Sequence, residues 1–167
     1  MKLLSIAVPC YNSQDYMRNC VDSLLKGGEL VEILIVNDGS KDDTAKIADE
    51  YAEKYPTIVR VIHQENGGHG EAVNTGIRNA TGFYFKVVDS DDWVNEEAFE
   101  AILKKLQELI AGPQTLDMMI SNFVYEKQAT SDFPRIIFTS HSEAFHNSFG
   151  NNSVYINRCI RDMVNRI

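Results

Sequence analysis

Short apolar runs rich in β-branched residues alternate along this chain with segments of helical period, and that alternation leaves few folds open. Leu3-Leu4-Ser5-Ile6-Ala7-Val8 reads as a buried strand ended by Pro9. Val31 to Val36, Ile58 to Ile62, Phe83 to Val88 and Met118 to Tyr125 repeat the pattern. Between them, Met17, Cys20, Val21 and Leu24 follow the spacing of one buried helical stripe. Ala48, Tyr51, Ala52 and Tyr55 do the same, as do Phe99, Ile102, Leu103 and Leu106. This order predicts an α/β domain, a mostly parallel sheet covered by helices on both faces. Pro56 and Gly112-Pro113 are expected to stop two helices. Ser40-Lys41-Asp42-Asp43 fits a capping box, with Ser40 as the cap and Asp43 reaching back. Ser13 is the expected cap of the first helix. Asn95 is that of the fourth, where Glu96 and Glu97 favour the positive helix end.

The chain has 167 residues, enough to bury a core without disulfide or metal staples. No run of apolar residues is long enough for a transmembrane helix. The opening Met1-Lys2-Leu3-Leu4 meets Pro9 and the polar Tyr11-Asn12-Ser13-Gln14-Asp15 too early for a signal peptide. With 16 basic and 24 acidic residues the formal charge is −8, a surface that repels a phosphate backbone and argues against nucleic-acid binding. Cys10, Cys20 and Cys159 are odd in number and lack ligand spacing, which predicts reduced thiols in a cytoplasmic protein. Beyond about residue 126 the pattern decays. Residues 134–139 are a candidate sixth strand and 141–153 read as loop. Ile156, Cys159, Ile160, Met163 and Ile167 make a helical apolar stripe beside Arg158, Arg161 and Arg166. That helix either packs onto the domain or lies on a membrane or partner surface.

In open α/β sheets, ligands gather at the carboxyl ends of strands. There the chain places Pro9-Cys10-Tyr11-Asn12, Asn37-Asp38-Gly39-Ser40, Glu65-Asn66-Gly67-Gly68-His69-Gly70 and Asp89-Ser90-Asp91-Asp92. Four polar, glycine-rich or acidic loops on one edge say more than any one alone. Three carboxylates in four residues repel one another, and a hard divalent cation would neutralise them. Oxygen ligands suit Mg²⁺ or Mn²⁺, which in turn would bind a substrate diphosphate. The alternative is that Asp91 or Asp92 caps the next helix while the others are solvated. Asp38 is placed to accept a hydrogen bond from a base N–H or a ribose hydroxyl, or to start the next helix as an Asx-turn. Tyr11 offers a ring for stacking on a base, or packs on the sheet edge. The glycines at 67, 68 and 70 let backbone amides approach phosphate or sugar oxygens, or form a plain turn. His69 is a candidate ligand contact in that loop. Asn74, one helical turn past Gly70, would face the same site or solvent. No zinc spacing and no G-x-S-x-G elbow is present.

Taken in series, the motifs resemble family 2 glycosyltransferases of the GT-A (Rossmann-like) fold. The resemblance runs through Ile6-Ala7-Val8-Pro9-Cys10-Tyr11-Asn12, Ile33 to Thr44, Asn66-Gly67-Gly68, Asn74-Thr75-Gly76-Ile77, Ala80 to Tyr84 and Val88-Asp89-Ser90-Asp91-Asp92-Trp93. It covers roughly residues 2–125 in order. The resemblance implies that Pro9, Tyr11 and Asp38 hold the nucleobase of a nucleotide-sugar donor. Asp89 and Asp91 would form the DxD element, touching ribose and coordinating Mn²⁺ or Mg²⁺. Asn12, Asn66, Gly67, Asn74 and Ser90 complete the donor set. It further implies inverting transfer, in which a protein carboxylate takes the proton of an acceptor hydroxyl.

Two positions depart from the family. Val73 stands where many members carry an arginine, and no Glu-Asp pair follows Asp92 to supply the acidic element that bears the catalytic base. The base is therefore expected beyond Ile167. Residues 1–125 read as the nucleotide-sugar-binding core and 126–167 as the incomplete start of the acceptor side. UDP-sugar is the favoured donor, and a polysaccharide or glycolipid the expected acceptor. The enzyme would be cytoplasmic, with contact at the inner membrane face if the last helix provides it. The rival readings are a nucleotide-sugar-binding module without turnover, and a nucleotidyltransferase. The latter's Gly-rich, Lys/Arg-bearing loop is replaced here by Pro9-Cys10-Tyr11-Asn12.

Overall fold

The computed structural model describes residues 2–113, 116–122 and 153–158. The elements are β1 (Leu4–Cys10), α1 (Met17–Leu24), a 3₁₀ segment (Leu25–Leu30), β2 (Val31–Asp38), α2 (Thr44–Lys54), β3 (Val59–Gln64) and α3 (His69–Asn79). They continue with β4 (Tyr84–Val87), α4 (Glu96–Ala111), β5 (Met118–Asn122) and β6 (Ser153–Arg158). The sheet order is β3-β2-β1-β4-β6-β5. The pairs β1–β2, β2–β3 and β1–β4 are parallel, whereas β6 runs antiparallel to both β4 and β5. The expected mostly parallel α/β sheet is what forms. Residues 153–158 join the same sheet as the strands before them.

β1 and β2 are buried along their whole length, because both faces of the sheet are covered. Leu4, Ile6, Val8 and Cys10 of β1, with Val31, Ile33 and Ile35 of β2, pack against the stripes of α1, α2 and α4. The opposite face presents Ala7, Leu34 and Phe85 to the α3 side. Here α3 comes in close. A methyl group on Gly76 would stand 2.5 Å from the Ala7 Cβ, so the hydrogen side chain sets the helix–sheet distance.

Two of the expected caps form differently. The Ser13 hydroxyl does not cap α1; its backbone carbonyl accepts from the Tyr16 and Met17 N–H groups, and α1 begins at Met17. Nor does Ser40 cap α2. That helix starts at Thr44, whose N–H donates to Asp42 Oδ1 at 3.0 Å, while Ser40 Oγ accepts from Asn12 instead. In both places a neighbouring loop competes successfully for the hydroxyl. Asn95 does cap α4, accepting from the Ala98 N–H at 3.0 Å. The C-terminal helix is corrected in part, since 156–158 lie in strand β6. Pairing with β4 and β5 overrides the helical spacing there. The rest of that stripe, the candidate strand at 134–139 and most of the 141–153 loop lie outside the described residues.

At the amino ends of β1 and β2, away from the candidate site, Glu32 is 4% exposed, followed in β2 by the apolar run Ile33 to Val36. Its Oε1 accepts from Ser5 Oγ at 2.5 Å and from Thr81 Oγ1 at 2.9 Å, as well as from the Thr81 and Gly82 N–H groups. Arg60 Nη1 lies 3.5 Å from Oε2. Burial opposes the charge. The hydrogen bonds from Ser5 and Thr81 and the Arg60 charge outweigh it, so the carboxyl is held below its ordinary value. A depressed carboxyl pKa contributes stability above the unfolded-state value near 4.5, and that contribution is lost as pH falls through the folded value. Glu32→Gln keeps the shape but turns charge-assisted bonds into neutral ones, a cost of about 1–2 kcal/mol at neutral pH. Denaturant melts should show the gap between wild type and variant closing below that pH. A gap independent of pH would mean that the charge of Glu32 contributes nothing.

Candidate functional site

The chain runs outward from β1 to β2 and β3, then crosses back to β4 on the other side of β1. The strand order therefore reverses between β1 and β4, and the loops leaving their carboxyl ends diverge to open a cleft. At this edge Tyr11 is 50% exposed, and Asp89 and Asp91 are exposed as well.

Four loops are wired into a ring around this cleft. The β1–α1 loop is stitched to the β2–α2 loop by five hydrogen bonds: Asn12 N–H to Ser40 Oγ, Lys41 N–H to Asn12 Oδ1, Ser13 N–H to Thr44 Oγ1, Gln14 N–H to Asp42 Oδ2 and Asp43 N–H to Gln14 Oε1. Asn12 reaches these partners from a left-handed φ of 50°, which asparagine tolerates better than most residues. The β2–α2 loop is tied to the β3–α3 loop by Asp38. Its Oδ1 accepts from Gln64 Nε2 at 2.7 Å and the Gly67 N–H at 2.8 Å, and its Oδ2 accepts from the Gly68 N–H at 2.8 Å. The β3–α3 loop meets the β4–α4 loop where His69 Nε2 lies 2.9 Å from Asp89 Oδ1. A carboxylate only accepts, so that imidazole carries a proton on Nε2. The ring closes where Ser90 Oγ and Ser13 Oγ, both buried, share a 2.9 Å hydrogen bond across the cleft floor.

The expected site residues thus fall into two groups. Tyr11, Asn12, Asn66, Gly67, Asn74, Asp89 and Asp91 are exposed, and Pro9, Asp38 and Ser90 are buried. Asp38 is 3% exposed and bonded within the chain, so it shapes the glycine loop directly. The Asx-turn at this corner belongs to Asn37, whose Oδ1 accepts from the Ser40 N–H. Gly39, at φ 69°, leaves no room for a side chain, because a Cβ would stand 2.8 Å from the Asn66 nitrogen. Asn74 points its amide at Glu71, which also holds Arg78.

Sequence reasoning did not reach several partners. Gln64 holds Asp38, and Ser13 holds Ser90. Lys86 interrupts an apolar strand, and that interruption was the available signal. Burial holds its ammonium below the ordinary value, against the charges of Asp89 and Asp92. Partial burial, then the charges of Asp91 and Asp89, push Asp92 above the usual carboxylate range. The acidic loop is under the electrostatic load its composition implies. Beneath it, burial pushes the Cys10 thiol up to about 12, so it stays a neutral thiol and no nucleophile.

Among the described residues no three His, Cys, Asp or Glu side chains gather into a metal cage. Asp89 and Asp91 instead offer hard, solvent-facing oxygens. That donor set fits Mg²⁺ or Mn²⁺ held by one or two carboxylates, with substrate phosphates and water completing the shell.

The model of the family described as Glycosyl transferase family 2 matches residues 5–164. The chain belongs to glycosyltransferase family 2. Within that family it is 43% identical over 107 residues to the uncharacterized glycosyltransferase EpsJ of Bacillus subtilis, covering 64% of this chain and 31% of EpsJ. It is 38% identical over 134 residues to glycosyltransferase GlyG of Streptococcus pneumoniae, covering 79% of this chain and 42% of GlyG. The chain thus spans less than half the length of these family 2 relatives. The crystal structure of S. aureus TarS 1-349 in complex with UDP-GlcNAc superposes with a TM-score of 0.69 at 23% identity, over the whole of this chain and 48% of that one. The mannosyltransferase PcManGT from Pyrobaculum calidifontis, in complex with GDP-Man and Mn²⁺, gives 0.57 at 24% identity, over 69% of this chain and 34% of that one. At these identities the likeness establishes the fold, a GT-A sheet. No helix among the described residues is long and apolar enough to cross a membrane.

Proposed function

We propose that residues 1–125 form the donor-binding core of an inverting, metal-dependent glycosyltransferase that takes a UDP-sugar and serves a saccharide or glycolipid acceptor. The observation that carries this reading is the ring of four loops, which brings Tyr11 and the Asp89–Asp91 pair to one cleft at the strand-order reversal. TarS was crystallised with UDP-GlcNAc and PcManGT with GDP-Man and Mn²⁺, which supports a nucleotide-sugar and a divalent ion for this family. The buried, unpaired thiols of Cys10 and Cys20 suit a reducing, cytoplasmic setting.

In this reading Tyr11 stacks on the base, and the spare lone pair of Asp38 Oδ2 accepts from it. Pro9, near the end of β1, borders the base with Tyr11, Asn12 and Ser90 hold the loops together, and the exposed Asn66, Gly67 and Asn74 line the sugar-phosphate path. Asp89 and Asp91 hold the ion. A bound Mg²⁺ or Mn²⁺ supplies positive charge to the diphosphate as it leaves. The acceptor hydroxyl attacks the anomeric carbon from the opposite face, and its proton goes to a carboxylate base. Glu126, Asp132 and Glu143, the acidic candidates for that role within this sequence, lie outside the described residues.

Calorimetry of the chain with UDP, GDP and dTDP tests the donor reading. Binding is expected with Mg²⁺ or Mn²⁺ and not after chelation, with UDP tightest. Equal binding in chelator would remove the metal from the proposal. Tyr11 is expected to act through its ring. Tyr11→Ala should weaken nucleotide binding by about 1–3 kcal/mol, the scale of base–aromatic stacking, whereas Tyr11→Phe should change little. A large loss with Phe would mean a hydroxyl contact in place of stacking.

A further inference from the structure

We infer that His69 is a positioning residue for the metal ion, acting through Asp89: its imidazole N–H fixes the Asp89 carboxylate in the orientation that receives the ion. This rests on the donor-binding reading above and adds to it a residue that acts on the ion at one remove.

The contact joins two anchored points. His69 is the first residue of α3. Just before it, Asp38 holds the Gly67 and Gly68 N–H groups, each at 2.8 Å. Just after it, the Glu71 and Ala72 N–H groups close the first turn of the helix on the Gly68 carbonyl. Asp89 is anchored as firmly. The preceding Val88 N–H donates to the Ala7 carbonyl at 3.0 Å. The Asp89 carbonyl accepts from the Asp92 N–H at 2.9 Å and from Cys20 Sγ at 3.5 Å. With both backbones set, the side-chain torsions are what remain to be fixed. The 2.9 Å bond between His69 Nε2 and Asp89 Oδ1 fixes them.

The hydrogen on Nε2 decides what the imidazole does. That nitrogen has no lone pair to offer an ion, so it serves the carboxylate instead. Oδ1 is engaged, and among the described residues no hydrogen bond reaches Oδ2. A hard cation can take that second oxygen without the carboxylate having to turn. The bond is of little use to the fold, since the two side chains are 65% and 52% exposed and exposed pairs contribute little to stability. Its use lies in orienting a ligand. Carboxylates that bind metals are held by such outer partners, and losing one costs about tenfold to a hundredfold in metal affinity.

Mn²⁺ reports the effect directly, because the paramagnetic resonance signal of the free ion falls on binding. The full chain and its His69→Ala and His69→Gln variants are titrated with Mn²⁺ alone, then with UDP by calorimetry at low and at saturating Mn²⁺. His69→Ala should weaken Mn²⁺ binding by about tenfold or more with an unchanged melting temperature. UDP binding by this variant should fall at low Mn²⁺ and recover at saturating Mn²⁺. His69→Gln should restore most of the Mn²⁺ affinity, since its amide nitrogen stands as many bonds from Cα as Nε2 does and donates an N–H. Wild-type Mn²⁺ affinity in His69→Ala overturns the proposal. A loss of UDP binding that saturating Mn²⁺ does not recover also overturns it, by putting the ring on the nucleotide. So does a Gln variant as weak as Ala. A wild-type chain that binds Mn²⁺ but no nucleotide overturns the donor reading, and the Mn²⁺ titrations still decide the role of His69. A wild-type chain that binds UDP equally with and without Mn²⁺, and no Mn²⁺ itself, overturns the role of His69 and leaves nucleotide binding standing.

Discussion

Asp91→Asn is expected to abolish metal-dependent nucleotide binding while leaving the fold at least as stable as before. The substitution keeps the side chain's size and one acceptor oxygen but removes the charge that a hard cation needs. The loss should be about a hundredfold or more in nucleotide affinity, about 2.7 kcal/mol. In the metal-free protein the effect has the opposite sign. Asp91 is exposed, and it is one of the two like charges that help burial push Asp92 above the usual carboxylate range. Deleting it relieves repulsion inside the Asp89–Asp92 turn. The Asp92 pKa should therefore fall toward its ordinary value in the variant, which a carboxyl NMR titration would follow. Calorimetry supplies the binding arm and a thermal melt the stability arm. A variant that melts well below wild type with binding intact would make Asp91 a structural residue and remove it from the site.

Why Asp91 could be singled out from sequence, while its surroundings could not, has a physical cause. Strand periodicity and loop composition are local, and local patterns place elements. The alternation that predicted β1, β2 and β4 is written in consecutive residues, as is the acidic run that follows β4. The partners are not. Glu32 finds Thr81 49 positions away, and Ser13 finds Ser90 77 positions away. Neither pairing leaves a trace in the spacing of either segment. The same distance effect explains the two failed caps. Ser13 and Ser40 have the right chemistry for capping, but each sits where another loop arrives with a donor or an acceptor, and the long-range bond takes the hydroxyl. The strand at 153–158 is a third case. Its apolar spacing is compatible with a helix, and only the open edge of β4 decides for strand.

Asp38 shows how a residue proposed for the site can act through the fold. Asp38→Ala is expected to cost both stability and binding, because its carboxylate is the tie between the β2–α2 and β3–α3 loops. Three donors converge on it: Gln64 Nε2, the Gly67 N–H and the Gly68 N–H, all within 2.8 Å. Charge-assisted bonds of this kind contribute about 1.5–3 kcal/mol each when a partner is buried. Gly67 and Gly68 are exposed, so their amides can turn to water once the carboxylate is gone, which limits the loss. About 2–4 kcal/mol in total is expected from denaturant melts. Binding should suffer further, since the Asn66–Gly68 segment loses its anchor against Gly39 and must be ordered by the ligand itself, and a drop of about a hundredfold follows if that ordering costs about 2.7 kcal/mol. Asp38→Asn separates the two roles. The amide keeps one acceptor, but its NH₂ must face at least one N–H donor, so the loop is still disturbed while the side-chain volume is unchanged. If Asp38→Asn binds nucleotide as wild type does, neither the loop tie nor the proposed bond to the base matters. If it loses binding while melting within about 1 kcal/mol of wild type, the carboxylate contributes to the ligand beyond its service to the fold.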